Sequence, residues 1–211
     1  MTRRLLLASL SAAALAAQKD KPVAKDPLFN LPVDLPVPVD DGAAKHLTGM
    51  KVPAITLVST SNRRLDMSDV ARERTVIYCY PRTGQPGAAI PKGWDEIPGA
   101  RGCTPESCGF RDHYQKLRAL GVQVYGLSTQ TTEYQQEVAA RLHLPFEILS
   151  DVDFKFTRAL RLPTFDFEGV TLLKRLTLVF SGGKIEKVFY PVFPPDKHAE
   201  EVIAWLSEPR A

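Results

Sequence analysis

The sequence predicts one α/β domain, a mixed central sheet sandwiched between helices, with a proline-rich arm in front of it. Three observations carry this. Short runs of β-branched and aromatic residues, Thr75-Val76-Ile77-Tyr78-Cys79-Tyr80 above all, alternate with stretches of helical periodicity. Near the end, Ser181-Gly182-Gly183 separates two further apolar runs, as a hairpin turn does. Between a strand and a helix lies Gly102-Cys103-Thr104-Pro105-Glu106-Ser107-Cys108, which places two thiols where a helix begins. With 211 residues and 44% hydrophobic composition, the chain can bury one sizeable core and still carry an extension.

The elements follow in order. Arg3-Arg4, the apolar run Leu5 to Leu10 and the small residues up to Ala17 have the form of a signal peptide. Ala14-Leu15-Ala16 fits its cleavage site, and the twin arginines fit a Sec or a twin-arginine signal. This gives a periplasmic or exported protein, or a cytoplasmic one if the segment is only a frayed N-terminus. The run is too short to span a bilayer well, so no stable membrane insertion is expected. Residues 18–48 read as a Pro-rich tether without periodicity, either holding the domain off a surface or draped over it. The folded domain, residues 49–211, then opens with a strand at Val52 to Val58.

A turn and a short helical start follow at Arg63 to Val70, and Thr75 to Tyr80 is a buried central strand ending at Pro81. Cys79 within it reads as a buried, inert thiol. The 21 residues between Pro81 and Cys103 are dense in glycine and proline, an irregular loop holding Trp94 and Ile97. It is either a lid or docking surface for the cysteines or a self-packed loop. Thr104 is the expected N-cap of the next helix, with Pro105 its first residue. Phe110, Tyr114, Leu117 and Leu120 form that helix's apolar face, and Gly121 ends it. Val122 to Ser128 is a second buried strand. Thr132-x-x-Gln135 reads as a capping box for a helix with Tyr134, Val138 and Leu142 on one face. A short strand at Phe146 to Ser150 precedes a short helix capped by Asp151 or Asp153. Leu172 to Phe180 and Lys184 to Phe189 are the hairpin strands, and Pro194-Pro195-Asp196 starts a last helix carrying Ala199, Val202, Ile203 and Leu206.

The chemistry concentrates in the two cysteines. A helix N-terminus favours a thiolate, and the thiolate is the reactive form. Five residues of ideal helix separate two Cα atoms by about 7.5 Å along the axis and about 140° around it. A disulfide needs Cα atoms roughly 4.4–6.8 Å apart. Two cysteines on one intact helix therefore cannot bond, and oxidation must unwind the first turns. The rest of the composition excludes more than it suggests. The net charge of +3 falls to +1 without residues 1–17, which argues against nucleic acid as a partner. His46, His113, His143 and His198 show no metal-ligand spacing, and no cofactor is expected.

Four local features together resemble the peroxiredoxins, and within them the Q type, also called bacterioferritin comigratory protein. They are the strand ending in Tyr80-Pro81, the run Gly102-Cys103-Thr104-x-Glu106-x-Cys108, Leu149-Ser150-Asp151 before a short helix, and Arg175-x-Thr177-Leu178-Val179-Phe180 before Gly-Lys-Ile. The resemblance implies a thioredoxin-like fold and a thiol-dependent peroxidase acting on hydrogen peroxide or organic hydroperoxides. It implies Cys103 as the peroxidatic cysteine, Cys108 as the resolving one and an intramolecular disulfide between them. It further implies Arg175 beside the thiolate, Pro81 shielding the pocket, a thioredoxin-like or other thiol reductant, and a monomer or weak dimer. Ala100 stands where the family carries a Thr or Ser, and Thr83 or Thr104 is left to supply the missing hydroxyl. Two other readings of the cysteines stand beside this one. One is a disulfide oxidoreductase, although such proteins usually carry C-x-x-C. The other is a binding protein stapled by a structural disulfide.

Overall fold

The run at Thr75 to Tyr80 forms the heart of the sheet. In the computed structural model, which describes residues 26–209, the first strands are β1 (Thr56–Ser59) and β2 (Arg64–Asp66), followed by helix α1 (Met67–Val70) and β3 (Thr75–Cys79). Helices α2 (Cys103–Asp112) and α3 (Tyr114–Ala119) lead to β4 (Gln123–Ser128), α4 (Thr132–Arg141), β5 (Ile148–Ser150) and α5 (Lys155–Leu160). Strands β6 (Thr164–Phe167), β7 (Val170–Leu173), β8 (Leu176–Ser181) and β9 (Lys184–Phe189) precede α6 (His198–Ser207). The main sheet has the order β2-β1-β5-β4-β3-β8-β9. β3 is parallel to β4 and antiparallel to β8, so the sheet is mixed, as the sequence predicts.

The core lies in two layers because side chains alternate along a strand. Ile77 and Cys79 of β3 face a layer with Leu127, Leu149 and Phe156. Val76, Tyr78 and Tyr80 face the other layer, with Cys103, Phe110 and Val138. Cys79 and Cys103 are thus on opposite sides of the sheet, and burial pushes the Cys79 thiol far up. Phe110 fixes α2 to the sheet. It stacks on Tyr78 at 4.5 Å between centroids and meets His198 edge-on. Burying such a ring contributes roughly 1.5–3 kcal/mol.

Several local readings shift. The cysteine helix starts at Cys103, not at Pro105, because Gly102 is the N-cap with φ 104°, a conformation that disfavours any side chain. Thr104 therefore sits inside the helix rather than capping it. The helix also bends at His113, where φ −99° and ψ 4° leave helical values. Thr131 rather than Thr132 caps α4, accepting from the Tyr134 amide, and Gln135 turns inward to the carbonyls of Ser128 and Gln130. Asp151, not Asp153, caps α5 from a distance. It accepts from the amides of Phe156 and Thr157 and from the Thr157 hydroxyl.

The run Leu172 to Phe180 is two strands, β7 and β8, which belong to different sheets. β6 and β7 form their own hairpin, with Glu168 and Gly169 both at positive φ in its turn. The turn read at Arg63 to Met67 contains β2, and the strand read from Val52 is regular only from Thr56. Gly182 and Gly183, at φ 58° and 79°, make the expected hairpin turn. The arm departs furthest from a free tether. Ala44 and Leu47 are buried in the core, Asp41 pairs with Lys174 and accepts from the Tyr190 hydroxyl, and Leu28 is buried near the cysteine helix. Packing thus begins before Gly49. The segment read as a signal peptide, residues 1–17, lies outside the described residues.

Candidate active site

Two backbone facts bring the site together. β3 ends at Cys79, and Tyr80 and Pro81 carry the chain out of the sheet. The antiparallel register sets Cys79 opposite Leu176, so Arg175 emerges at that same end of the sheet. Helix α2 begins there too, with Cys103 as its first residue and only 4% exposed.

Arg175 organises what it meets. Its side chain is buried, and every donor nitrogen has a partner. Nε donates to the Gly99 carbonyl at 3.2 Å. Nη2 lies 3.2 Å from the Cys103 sulfur and reaches the carbonyls of Ala100 and Arg101 at 3.2 and 3.1 Å. Nη1 donates to Glu106, whose carboxylate is completely buried. Burial works against the guanidinium charge, but Glu106 and the Cys103 sulfur more than offset it and hold the pKa above its ordinary value. Glu106 is pulled upward by burial, against the lowering effect of Arg175 and His198. The pair braces the first turn of α2 and leaves a fixed positive charge against a sulfur at a helix N-terminus. That setting favours negative charge developing beside the sulfur.

Glu106 escaped the sequence reading as a site residue. A signal was present, because Cys103, Glu106 and Phe110 recur at helical spacing on one face. A carboxylate on the buried face of a helix demands a buried cation.

The sulfur opens toward a cavity of about 360 Å³ whose wall includes Leu28, Thr83, Ile90, Trp94, Cys103 and Thr104. Pro81 is buried but is not part of that wall; its carbonyl accepts from Ser128 Oγ at 3.1 Å, which anchors the chain leading to Thr83. Thr83 is held by Gln130, which the sequence reading did not name, and by Tyr134, read there only as part of a helix face. Gln130 Oε1 accepts from both its amide and its hydroxyl, at 2.9 and 3.2 Å. The Tyr134 hydroxyl donates to its carbonyl at 2.9 Å. The Thr104 hydroxyl, by contrast, has no hydrogen-bond partner among the described residues. The methyl of Ala100 packs with Trp94 and Leu172, and its carbonyl faces both Arg175 and the Cys103 sulfur.

The long loop is packed, and β6–β7 holds it. Trp94 meets Phe167 edge-on at 5.0 Å, and the Arg82 guanidinium lies 4.6 Å from the Trp94 ring centre and 5.1 Å from that of Phe167. Cys108 sits five residues along α2, half-buried, its thiol pushed up by burial and only partly relieved by Arg111. Both thiols are free, on one continuous helix.

The Redoxin family model matches residues 47–203. The chain is 32% identical over 164 residues to the chloroplastic peroxiredoxin Q of Sedum lineare, covering 77% of this chain and 79% of that one. The chain belongs to the peroxiredoxins of the Q type. Its fold agrees with solved structures. Peroxidoxin BcpB from Mycobacterium tuberculosis superposes with a TM-score of 0.61 at 24% identity, over 78% of this chain and 99% of that one. The bacterioferritin comigratory protein of Xanthomonas campestris, described for its alkyl peroxide reduction activity, gives 0.59 at 22% identity, over 74% and 95%. The thioredoxin-like fold is thereby established for this peroxiredoxin.

Proposed function

We propose that this peroxiredoxin reduces peroxides with Cys103 as the attacking thiolate and Cys108 as the resolving thiol. The observation that carries the assignment is the Arg175 guanidinium 3.2 Å from the Cys103 sulfur at the helix N-terminus. The Cys103 thiolate attacks one peroxide oxygen. The O–O bond breaks, the other oxygen leaves as water or an alcohol after taking a proton, and Cys103 becomes a sulfenic acid. Arg175 offsets charge on the oxygens as the bond lengthens. The Cys108 thiol then displaces water from the sulfenic acid and a disulfide forms. A thioredoxin-like or other thiol donor returns both sulfurs to thiols by exchange.

Thr104 supplies the hydroxyl that Ala100 lacks. It lines the cavity and is uncommitted, whereas Thr83 donates its proton to Gln130. Pro81 acts through the backbone it fixes, keeping Thr83 in the wall. The disulfide requires α2 to unwind at one end, since five helical residues hold the sulfurs apart. That coupling favours a cycling redox pair over a permanent staple. The sequence of residues 1–17 supports export, which would place the protein in the envelope.

Thiol counting and peptide mass spectrometry test the assignment. One equivalent of hydrogen peroxide added to the reduced chain should consume two of its three thiols and join Cys103 to Cys108, with Cys79 untouched. Cys103→Ser should consume none. A product joining Cys79 to either of the others would contradict it.

A further inference from the structure

We infer that residues 26–34 form a strap whose seating excludes the Cys103–Cys108 disulfide, so that oxidation by peroxide releases the strap. This rests on reading the two cysteines as the redox pair. The strap begins with a capped turn at Pro27–Phe29, where Asp26 accepts from the Leu28 amide at 3.0 Å. It touches the protein at positions that surround Cys103. Leu28 is 8% exposed and forms part of the cavity wall. It also lies tight on Gly84, where an added Cβ would stand 2.6 Å from its Cδ2. Arg101 Nη2 donates to the carbonyls of Pro27 and Asn30, at 2.6 and 3.2 Å. Leu31 packs on Gly102, where an added Cβ would stand 3.1 Å from its Cδ2 and 2.3 Å from Pro195 Cγ.

Arg101 and Gly102 are the two residues before Cys103, and they are the ones that move if α2 unwinds at its start. Gly102 offers no side-chain cap, and the first turn is held by Arg175 with Glu106 and by the strap. Bringing the Cys103 sulfur to Cys108 therefore carries Arg101 and Gly102 away from Pro27, Asn30 and Leu31. The coupling is reciprocal: the seated strap opposes the disulfide as much as the disulfide opposes the strap. A slower closure leaves the sulfenic acid exposed for longer to a second peroxide, which takes it to the sulfinic acid with loss of water or alcohol.

Hydrogen exchange on the full chain, reduced and after one equivalent of hydrogen peroxide, tests this directly. Peptides covering 26–34 should exchange about tenfold faster or more once oxidised, while peptides from β8 and β9 stay unchanged. With Cys108→Ser, which stops at the sulfenic acid, the strap should remain protected. A Cys103–Cys108 disulfide formed with 26–34 still protected overturns the strap proposal alone and points to unwinding from the Cys108 end. No disulfide at all overturns the redox reading and the strap with it. Leu31→Ala provides a second measurement. It should speed disulfide closure about fivefold and lower the sulfinic fraction at excess peroxide, and unchanged closure would contradict the coupling.

Discussion

Thr104 carries the sharpest question at the level of single residues. The hydrogen-bonding groups nearest the sulfur are largely satisfied within the protein: Thr83 in the cavity wall by Gln130 and Tyr134, and Arg175 behind it by four acceptors besides the sulfur. Thr104→Val keeps the shape and removes the uncommitted hydroxyl. We expect the rate of Cys103 oxidation to fall about 10²-fold, with α2 intact by circular dichroism; an unchanged rate would return the role to Thr83. At this scale the sequence points to the candidate reacting atoms but not to their support. Cys103 and Cys108 stand out by position, as thiols at a helix start, whereas Arg175 enters only through the family resemblance, because its place in a strand does not mark it. Gln130 and Tyr134 do not stand out either, since an amide and a phenol on a helix are ordinary until the chain leading to Thr83 is folded against them.

At the level of elements, the sequence shows periods well and ends poorly. β3, β4 and the last helix declare themselves by runs of apolar residues whose period matches their burial. The β6–β7 hairpin does not. Its burial is patchy, with Val170 half exposed, because only Leu173 reaches the main core while Phe165, Phe167 and Leu172 pack on the loop. Caps are legible to within one or two residues, as Thr131 and Gly102 show, and Asp151 shows why the remainder is hard. It serves α5 from four residues before the helix, with Phe154 at φ 57° turning the chain between them. Asp151→Ala leaves buried donors unpaired and should lower unfolding free energy by about 2 kcal/mol, measured by urea denaturation. A loss below about 0.5 kcal/mol would mean that α5 holds without it.

On the scale of the molecule, the arm and the loop change what the fold is. Composition alone marks residues 26–48 as solvated chain, yet several of them are fixed by partners far away in sequence, which no local pattern reveals. Asp41 is the clearest case. Hydrogen bonds from Lys174, the Ala43 amide and Tyr190 hold its carboxyl well below the usual carboxylate range. A depressed carboxyl contributes stability above its unfolded pKa of about 3.9, and that contribution is lost as pH falls below it. Asp41→Asn should therefore lower the urea midpoint at pH 7 and lower it less at pH 3, where part of the contribution is already lost. Equal effects at both would show that the contact stabilises through packing and not through charge.

The central claim is that Cys103 is a peroxide-reactive thiolate set up by Arg175. Trp94 in the wall of the same cavity offers a reporter, so stopped-flow fluorescence of the reduced chain against hydrogen peroxide, beside Cys103→Ser and Cys108→Ser, tests it most directly. We expect a second-order phase far faster than a free thiol, present in Cys108→Ser and absent in Cys103→Ser. A rate no faster than that of a free thiol, or a fast phase that survives Cys103→Ser, would contradict the assignment.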